Sequence, residues 1–152
     1  WLLIFVMYHL RQQMQVNFLA GFEMARNASL SRHMPAAGNL LFVSSIYAEV
    51  GAPGQSAYCA SKAAIAGATK ALAVELAPRS IKVNSLAPGF VATAMTDQAK
   101  LSRETMEAII AKHPLGAGSA AQVARAAAFL LSPLNTWITG TQLIIDGGYS
   151  AQ

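Results

Sequence analysis

Tyr58 and Lys62 stand four positions apart in Tyr58-Cys59-Ala60-Ser61-Lys62, and thirteen residues before Tyr58 lies Ser45. A phenol, an ammonium and a hydroxyl brought together can pass a proton to or from a substrate oxygen. With a pKa near 10 a phenol is a poor base at neutral pH, but a nearby cation stabilises the phenolate. Lowering that pKa by roughly three takes about 4 kcal/mol of differential interaction, much of which one lysine in a partly desolvated cleft can supply. A tyrosine tuned in this way takes a proton from an alcohol or returns one to a carbonyl. Ser45 would then hold the substrate oxygen. On a helix, residues four apart share one face with Cβ atoms about 5–6 Å apart, so the ammonium acts on the phenol directly or through a bound ligand.

Such a trio needs elements that converge on one edge. Leu40-Leu41-Phe42-Val43 is a short apolar run that suits a parallel strand buried on both faces, with Ser44 and Ser45 at its end. After the Gly51-Ala52-Pro53-Gly54 loop, Ser56 is the N-cap candidate for a helix of about twenty residues, ending before Pro78 and rich in alanine. Its first turns carry Tyr58 and Lys62. Residues 81–87 read as the next strand, closed by Pro88-Gly89. Both strand ends lie on the carboxyl edge, where open parallel sheets bind ligands. Before the first strand, Leu10, Met14, Phe18, Phe22 and Met24 recur at near-helical spacing, predicting an amphipathic helix from His9 to His33 that is stopped by Pro35 and Gly38. Further on, the sequence predicts a loop-and-helix excursion from Met95 to Gly118 with Ser102 as its cap. A helix from Ser119 or Ala120 to Leu131 and a strand at Gln142–Ile145 follow. Alternating helices and strands imply βαβ crossovers within one α/β domain covering 1–152.

Composition narrows the function classes. The chain is 54% hydrophobic and 12% charged, enough apolar material for a core. Its formal charge of +4 comes from scattered basic residues with no run among them, so nucleic acid is not an expected partner. One cysteine, Cys59, excludes an intramolecular disulfide and suits the cytoplasm, and His9, His33 and His113 show no metal-ligand spacing. The apolar run Trp1–Met7 falls far short of the roughly 20 residues of a membrane span, so neither anchor nor signal peptide is expected.

Several ordered motifs resemble the short-chain dehydrogenase/reductase family, and in particular its 3-oxoacyl-[acyl-carrier-protein] reductases. They are Ser44-Ser45-Ile46, the block from Gly51 to Ala64 that contains Tyr58-Cys59-Ala60-Ser61-Lys62, and Val83-Asn84-Ser85-Leu86-Ala87-Pro88-Gly89-Phe90-Val91-Ala92-Thr93. Ile138-Thr139-Gly140 and Asp146-Gly147-Gly148-Tyr149 complete the set, and the similarity runs from about Met14 to Ala151. The resemblance implies a Rossmann-like, doubly wound parallel sheet in three α/β/α layers. It also implies NAD or NADP as cofactor and hydride exchange with a small-molecule ketone or secondary alcohol. Tyr58 would be the general acid/base, and Lys62 would support it and bond the nicotinamide ribose. Ser45 would position the substrate oxygen, while Asn17 would hold a proton-relay water. Pro88, Gly89, Val91 and Thr93 would line the nicotinamide. The Asn17 helix and the helix after Ser56 resemble the pair through which this family forms dimers and tetramers, so a homo-oligomer is expected. Without the resemblance, Ser45 is a strand-end hydroxyl, Asn17 a polar surface residue, Pro88-Gly89 a turn and Thr93 a helix cap.

The chain departs from the family's pattern at its start. Nothing in it matches the Gly-rich turn that binds the cofactor's pyrophosphate at a helix N-terminus, nor the Asn-Asn-Ala-Gly turn expected ahead of Asn17. The expectation is a C-terminal part of such a domain that lacks its N-terminal strands, leaves one sheet edge bare and binds nicotinamide cofactor poorly alone. Two other readings compete. One is a catalytically inactive remnant that only self-associates. The other is a Ser-Lys hydrolase built on Ser45 and Lys62, which is disfavoured because no Gly-x-Ser-x-Gly elbow is present.

Overall fold

The computed structural model describes residues 2–34, 36–93 and 102–152. No Gly or Pro interrupts the chain before Gly21, and it winds into helix α1 (Leu2–Met14), a π-helical turn (Gln15–Leu19) and helix α2 (Ala20–Ala28). The expected helix thus starts seven residues earlier and ends five earlier than its periodicity suggested. Leu and Met are good helix formers even where a uniformly apolar run hides the amphipathic signal. At the other end, the Arg79 guanidinium takes the carbonyls of Ser29 and Met34 and holds the chain in a turn. Pro35, expected to stop the helix, lies outside the described residues.

Three parallel strands form the main sheet in the order β1 (Asn39–Val43), β2 (Lys82–Pro88), β5 (Gln142–Ile145). Leu40 is in register with Val83, and Leu86 with Leu143. Helix α3 (Ser56–Leu76) crosses from β1 to β2 and packs on the sheet, with Leu72, Ala73, Ile81 and Val83 buried at the centre and Phe22, Leu40 and Phe42 against them. Side chains alternate along a strand, so Asn39 faces away from Leu40 and Phe42. There it donates to the Leu131 carbonyl at the end of helix α5 (Ala120–Leu131). Helices on both faces make the three-layer, Rossmann-like architecture that the sequence implies.

Central strand β2 is the buried one, from Val83 to Ala87. Strand β1, expected to be buried on both faces, is only half-buried, and Val43 is 60% exposed. The reason is position: among the described residues β1 pairs with β2 alone and stands at the edge of the sheet. Burial of a strand depends on its neighbours as much as on its own residues.

Two buried asparagines fix the return into β5. Asn84 donates to the Ile138 carbonyl at 2.9 Å and accepts the Thr141 N–H at 3.2 Å. Asn135 donates to the Leu130 and Ile138 carbonyls and accepts the Ile138 N–H. Each is about 1% exposed, so these bonds replace water that has been excluded. Beyond β2, the short strands β3 (Val91–Ala92) and β4 (Gly118–Ser119) pair with each other, with helix α4 (Arg103–Ala111) between them. Ser102 caps α4 by accepting the Thr105 N–H, and Ser119 and Gln122 form a reciprocal capping box at α5. Ser56, in contrast, is the first helical residue of α3; Gln55 precedes it without a side-chain cap bond. There the Gln55 N–H bonds back to Ala52 and its carbonyl receives the Cys59 N–H, so the entry turn is secured by backbone.

Candidate active site

Where β1 ends, the chain is pinned on both sides. The Ser44 N–H bonds the Leu86 carbonyl at 2.7 Å, and the Ser44 hydroxyl donates to the Lys62 carbonyl at 3.0 Å, which ties the strand end to α3. Ser45 follows, 8% exposed, in extended backbone. Its hydroxyl oxygen accepts the Tyr47 N–H at 3.2 Å and starts a single 3₁₀ turn, Ile46–Ala48. Local capping therefore fixes Ser45 on the carboxyl edge of the sheet.

Helix α3 begins near that edge and carries Tyr58 and Lys62 in its first two turns. The Lys62 ammonium donates to the Val43 carbonyl at 3.1 Å and stands 5.6 Å from the Tyr58 ring centroid. That is cation–π range. Burial pulls the Lys62 ammonium below the usual lysine value, as expected for a charge brought out of water. Tyr47 meets Tyr58 edge-on, with centroids 6.0 Å apart. Burial pushes the Tyr47 phenol up, with smaller contributions from Tyr149, Cys59 and Tyr58.

Strand β2 delivers Pro88 and Gly89 at the same edge, and β3 carries the chain on through Val91 to Thr93. Gly89 has to be glycine: a Cβ there would lie 2.8 Å from the Asp146 Cα and 2.8 Å from a ring nitrogen of His113. All of these residues open onto one cavity of about 760 Å³. Ser45, Tyr58 and Lys62 form part of its wall, and Pro88, Gly89, Val91 and Thr93 form another.

Of the eight residues singled out in the sequence, Asn17 alone does not border this cavity. It lies in the π-helical turn and lines a separate, smaller groove beside β1. Its amide donates to the Ser61 hydroxyl at 3.0 Å, and Ser61 in turn donates to the Tyr58 carbonyl at 2.7 Å. Asn17 therefore reaches the Tyr58 turn of α3 through Ser61. A π-turn of this kind often marks a functional position in a helix.

Sequence reasoning missed Tyr47, Phe90, His113 and Tyr149, which also line the cavity. Tyr149 follows the Asp146-Gly147-Gly148 motif by one residue, and that motif was the one available signal. Tyr47 and Phe90 stand within two residues of Ser45 and Gly89, and His113 joins the site from a distant segment.

The arrangement offers a hydroxyl, a phenol and an ammonium in one chamber whose lining also includes Tyr47, Thr93, Lys112, His113 and Tyr149. Another part of the lining, at Pro88-Gly89, is backbone packed closely against Asp146 and the His113 ring. That pairing fits the nicotinamide and ribose end of a dinucleotide: Lys62 and Tyr58 have donors suited to ribose hydroxyls, and the Thr93 hydroxyl suits a carboxamide. Among the described residues no cluster of three or more His, Cys, Asp or Glu could hold a metal ion.

A family model described as enoyl-(acyl carrier protein) reductase matches residues 7–150. The 3-oxoacyl-[acyl-carrier-protein] reductase of Rickettsia felis is 43% identical over 134 residues, covering 88% of this chain and 55% of that protein. A solved short-chain dehydrogenase/reductase from Serratia marcescens superposes with a TM-score of 0.85 at 34% identity, over 93% of this chain and 56% of that one. A 4-hydroxyisoleucine dehydrogenase complexed with NADH gives a TM-score of 0.85 at 29% identity, over 91% of this chain and 58% of the other. The chain thus spans about 55% of the length of the curated relatives it matches.

Proposed function

The chain belongs to the short-chain dehydrogenase/reductase family, and we propose on that footing that its cavity carries the proton-transfer half of a nicotinamide-dependent oxidoreduction. The observation behind this reading is the sharing of one cavity by Ser45, Tyr58, Lys62 and the Pro88–Thr93 segment. The substrate is a ketone or secondary alcohol. An aromatic and aliphatic wall made by Tyr47, Phe90, Ile109, Val123 and Tyr149 favours an apolar acyl chain over a sugar. The 3-oxoacyl thioesters named by the Rickettsia relative are of that type.

In the reducing direction the Ser45 hydroxyl donates to the substrate carbonyl oxygen and orients it. Tyr58 donates its phenolic proton to that oxygen as negative charge grows there. The Lys62 ammonium, 5.6 Å from the Tyr58 ring, stabilises the charge left on the phenol oxygen. Asn17 supports the Tyr58 turn through Ser61. A nicotinamide cofactor, when bound, supplies or accepts the hydride. Lys62 and Tyr58 would hold its ribose; Pro88, Gly89, Val91 and Thr93 would face its ring. Both NAD and NADP suit that end, because they differ only at the adenosine ribose.

Weak dinucleotide binding is expected of these residues, because none of them forms the Gly-rich turn that holds a pyrophosphate at a helix N-terminus. Calorimetric titration with NADH and NADPH tests that point, and micromolar binding by either would overturn it. Loss of reduced-nicotinamide absorbance on adding a 3-oxoacyl thioester, at cofactor concentrations high enough to fill a half-site, tests the reaction itself. A second reading, an inactive chain that self-associates, is favoured by the bare edge of β1 and by Val43 exposed upon it. Val16 and Met24, exposed on the helices around Asn17, and Val74, 76% exposed on α3, support a homo-oligomer in either case. No helix of the described residues is long and apolar enough to cross a membrane, and the free Cys59 suits a reducing cytoplasm.

A further inference from the structure

We infer that His113, as its neutral Nδ1–H tautomer, is a positioning residue that holds the Pro88-Gly89-Phe90 turn in the shape that faces the nicotinamide; this rests on the oxidoreductase reading of the cavity. His113 is 4% exposed and lies just beyond α4. Its Nδ1 is 2.9 Å from the Ile109 carbonyl, and its Nε2 is 3.0 Å from the Phe90 backbone nitrogen. A carbonyl can only accept, so Nδ1 carries the proton. A backbone N–H can only donate, so Nε2 offers its lone pair. One rigid ring thus adds a second donor to the Ile109 carbonyl, which also accepts the Lys112 N–H, and gives the Phe90 amide of the turn its acceptor.

The surroundings fix the ring. Tyr149 packs on it with centroids 4.9 Å apart, and Phe90 flanks it at 6.4 Å. The turn is held at three successive points: the Gly89 N–H bonds the Ile145 carbonyl, the Phe90 N–H bonds His113, and the Phe90 carbonyl accepts the Gly118 N–H. Of these three, only the His113 bond comes from a side chain, and only it ties the turn to the end of α4. The close approach that forces glycine at position 89 is made in part by the same Nε2. The imidazole therefore ties the end of α4 to the nicotinamide-facing turn.

The test compares His113→Gln, whose amide oxygen can reach the Nε2 position as an acceptor, with His113→Leu, which fills the space without one. Amide hydrogen exchange in the whole chain is the readout. In His113→Leu the Phe90 amide should exchange at least tenfold faster than in the parent while the Ser85 amide, bonded to Thr141 in the sheet, stays as slow. His113→Gln should restore most of the protection. Imidazole ¹⁵N shifts of the parent should report a protonated Nδ1 and a bare Nε2. Reduced nicotinamide mononucleotide, used as the probe, should shift the Phe90 and Val91 amides in the parent and in His113→Gln and much less in His113→Leu. The proposal is overturned by unchanged Phe90 exchange in His113→Leu, by failure of His113→Gln to restore it, or by a protonated Nε2. If the exchange results hold and the nucleotide shifts no amide in any variant, the clamp stands and the cofactor reading alone falls.

Discussion

Replacing Asp146 by asparagine should weaken the C-terminal turn, and by an amount that depends on pH. Asp146 follows β5 directly. One carboxylate oxygen accepts the Gly148 N–H at 3.0 Å; the other accepts the Ser150 N–H at 2.8 Å and the Ser150 hydroxyl at 2.6 Å. Burial pushes this carboxyl up, but the bonds from Ser150 and Gly148 outweigh it and hold it below the usual carboxylate value. In the Asp146→Asn variant one oxygen becomes an NH₂, so either Gly148 or both Ser150 donors lose their acceptor. Bonds to a charged acceptor contribute about 1.5–3 kcal/mol against about 1 for neutral ones, and solvent reaches this site, so the expected loss is about 2 kcal/mol at neutral pH. A carboxyl whose folded value is depressed contributes stability that is present above its unfolded value, near 3.9, and is lost as pH falls through the folded value. The gap between parent and Asp146→Asn should therefore be full at neutral pH and close in acid. Urea unfolding followed by far-ultraviolet circular dichroism at both ends of that range measures it. A gap that is absent at neutral pH, or that persists undiminished in acid, would refute the reasoning.

Other outcomes follow from the same bonds. Lys62→Met should leave unfolding midpoints nearly unchanged, because the Val43 carbonyl that it serves lies at an exposed position. It should lower turnover about ten- to a hundredfold, the scale on which a nearby cation favours the charged form of a phenol. Asn84→Ala should destabilise the chain by about 2–3 kcal/mol in chemical denaturation, because the half-buried Thr141 N–H loses its acceptor and the Ile138 carbonyl one of its donors. Gly89→Ala should cost at least about 1–3 kcal/mol, since its Cβ meets backbone at Asp146 that cannot swing aside, and a heat-denaturation scan would register the loss.

Local rules were legible and relational ones were not. Ser102 was readable as a cap because a cap is decided within four residues, and the strand at Gln142–Ile145 was readable from its turn-bounded apolar run. Ser56 misled because Gln55 closes the entry to α3 with backbone bonds that leave no mark on side-chain type. The half-exposed state of β1 could not be read from Leu40–Val43, since burial is conferred by whatever packs alongside. Tyr58 and Lys62 were legible as a pair from their helical spacing together with their place after a strand that ends in Ser45. His113 looked isolated: the Phe90 amide that gives it a role is twenty-three residues away, and only the folded chain joins them. Asn17 shows the converse, a residue readable by resemblance whose side chain turns to Ser61 and away from the main cavity.

Substituting Tyr58 by Phe removes one hydroxyl and leaves the ring beside Tyr47 and Lys62 in place, so it probes the proposed proton transfer with little change in packing. With reduced nicotinamide in large excess and a 3-oxoacyl thioester as substrate, turnover by the parent chain should vanish in Tyr58→Phe and fall steeply in Ser45→Ala. A Tyr58→Phe chain that consumes reduced nicotinamide as fast as the parent, or that hydrolyses an ester at a rate set by Ser45 alone, would contradict the assignment of that phenol as the proton donor.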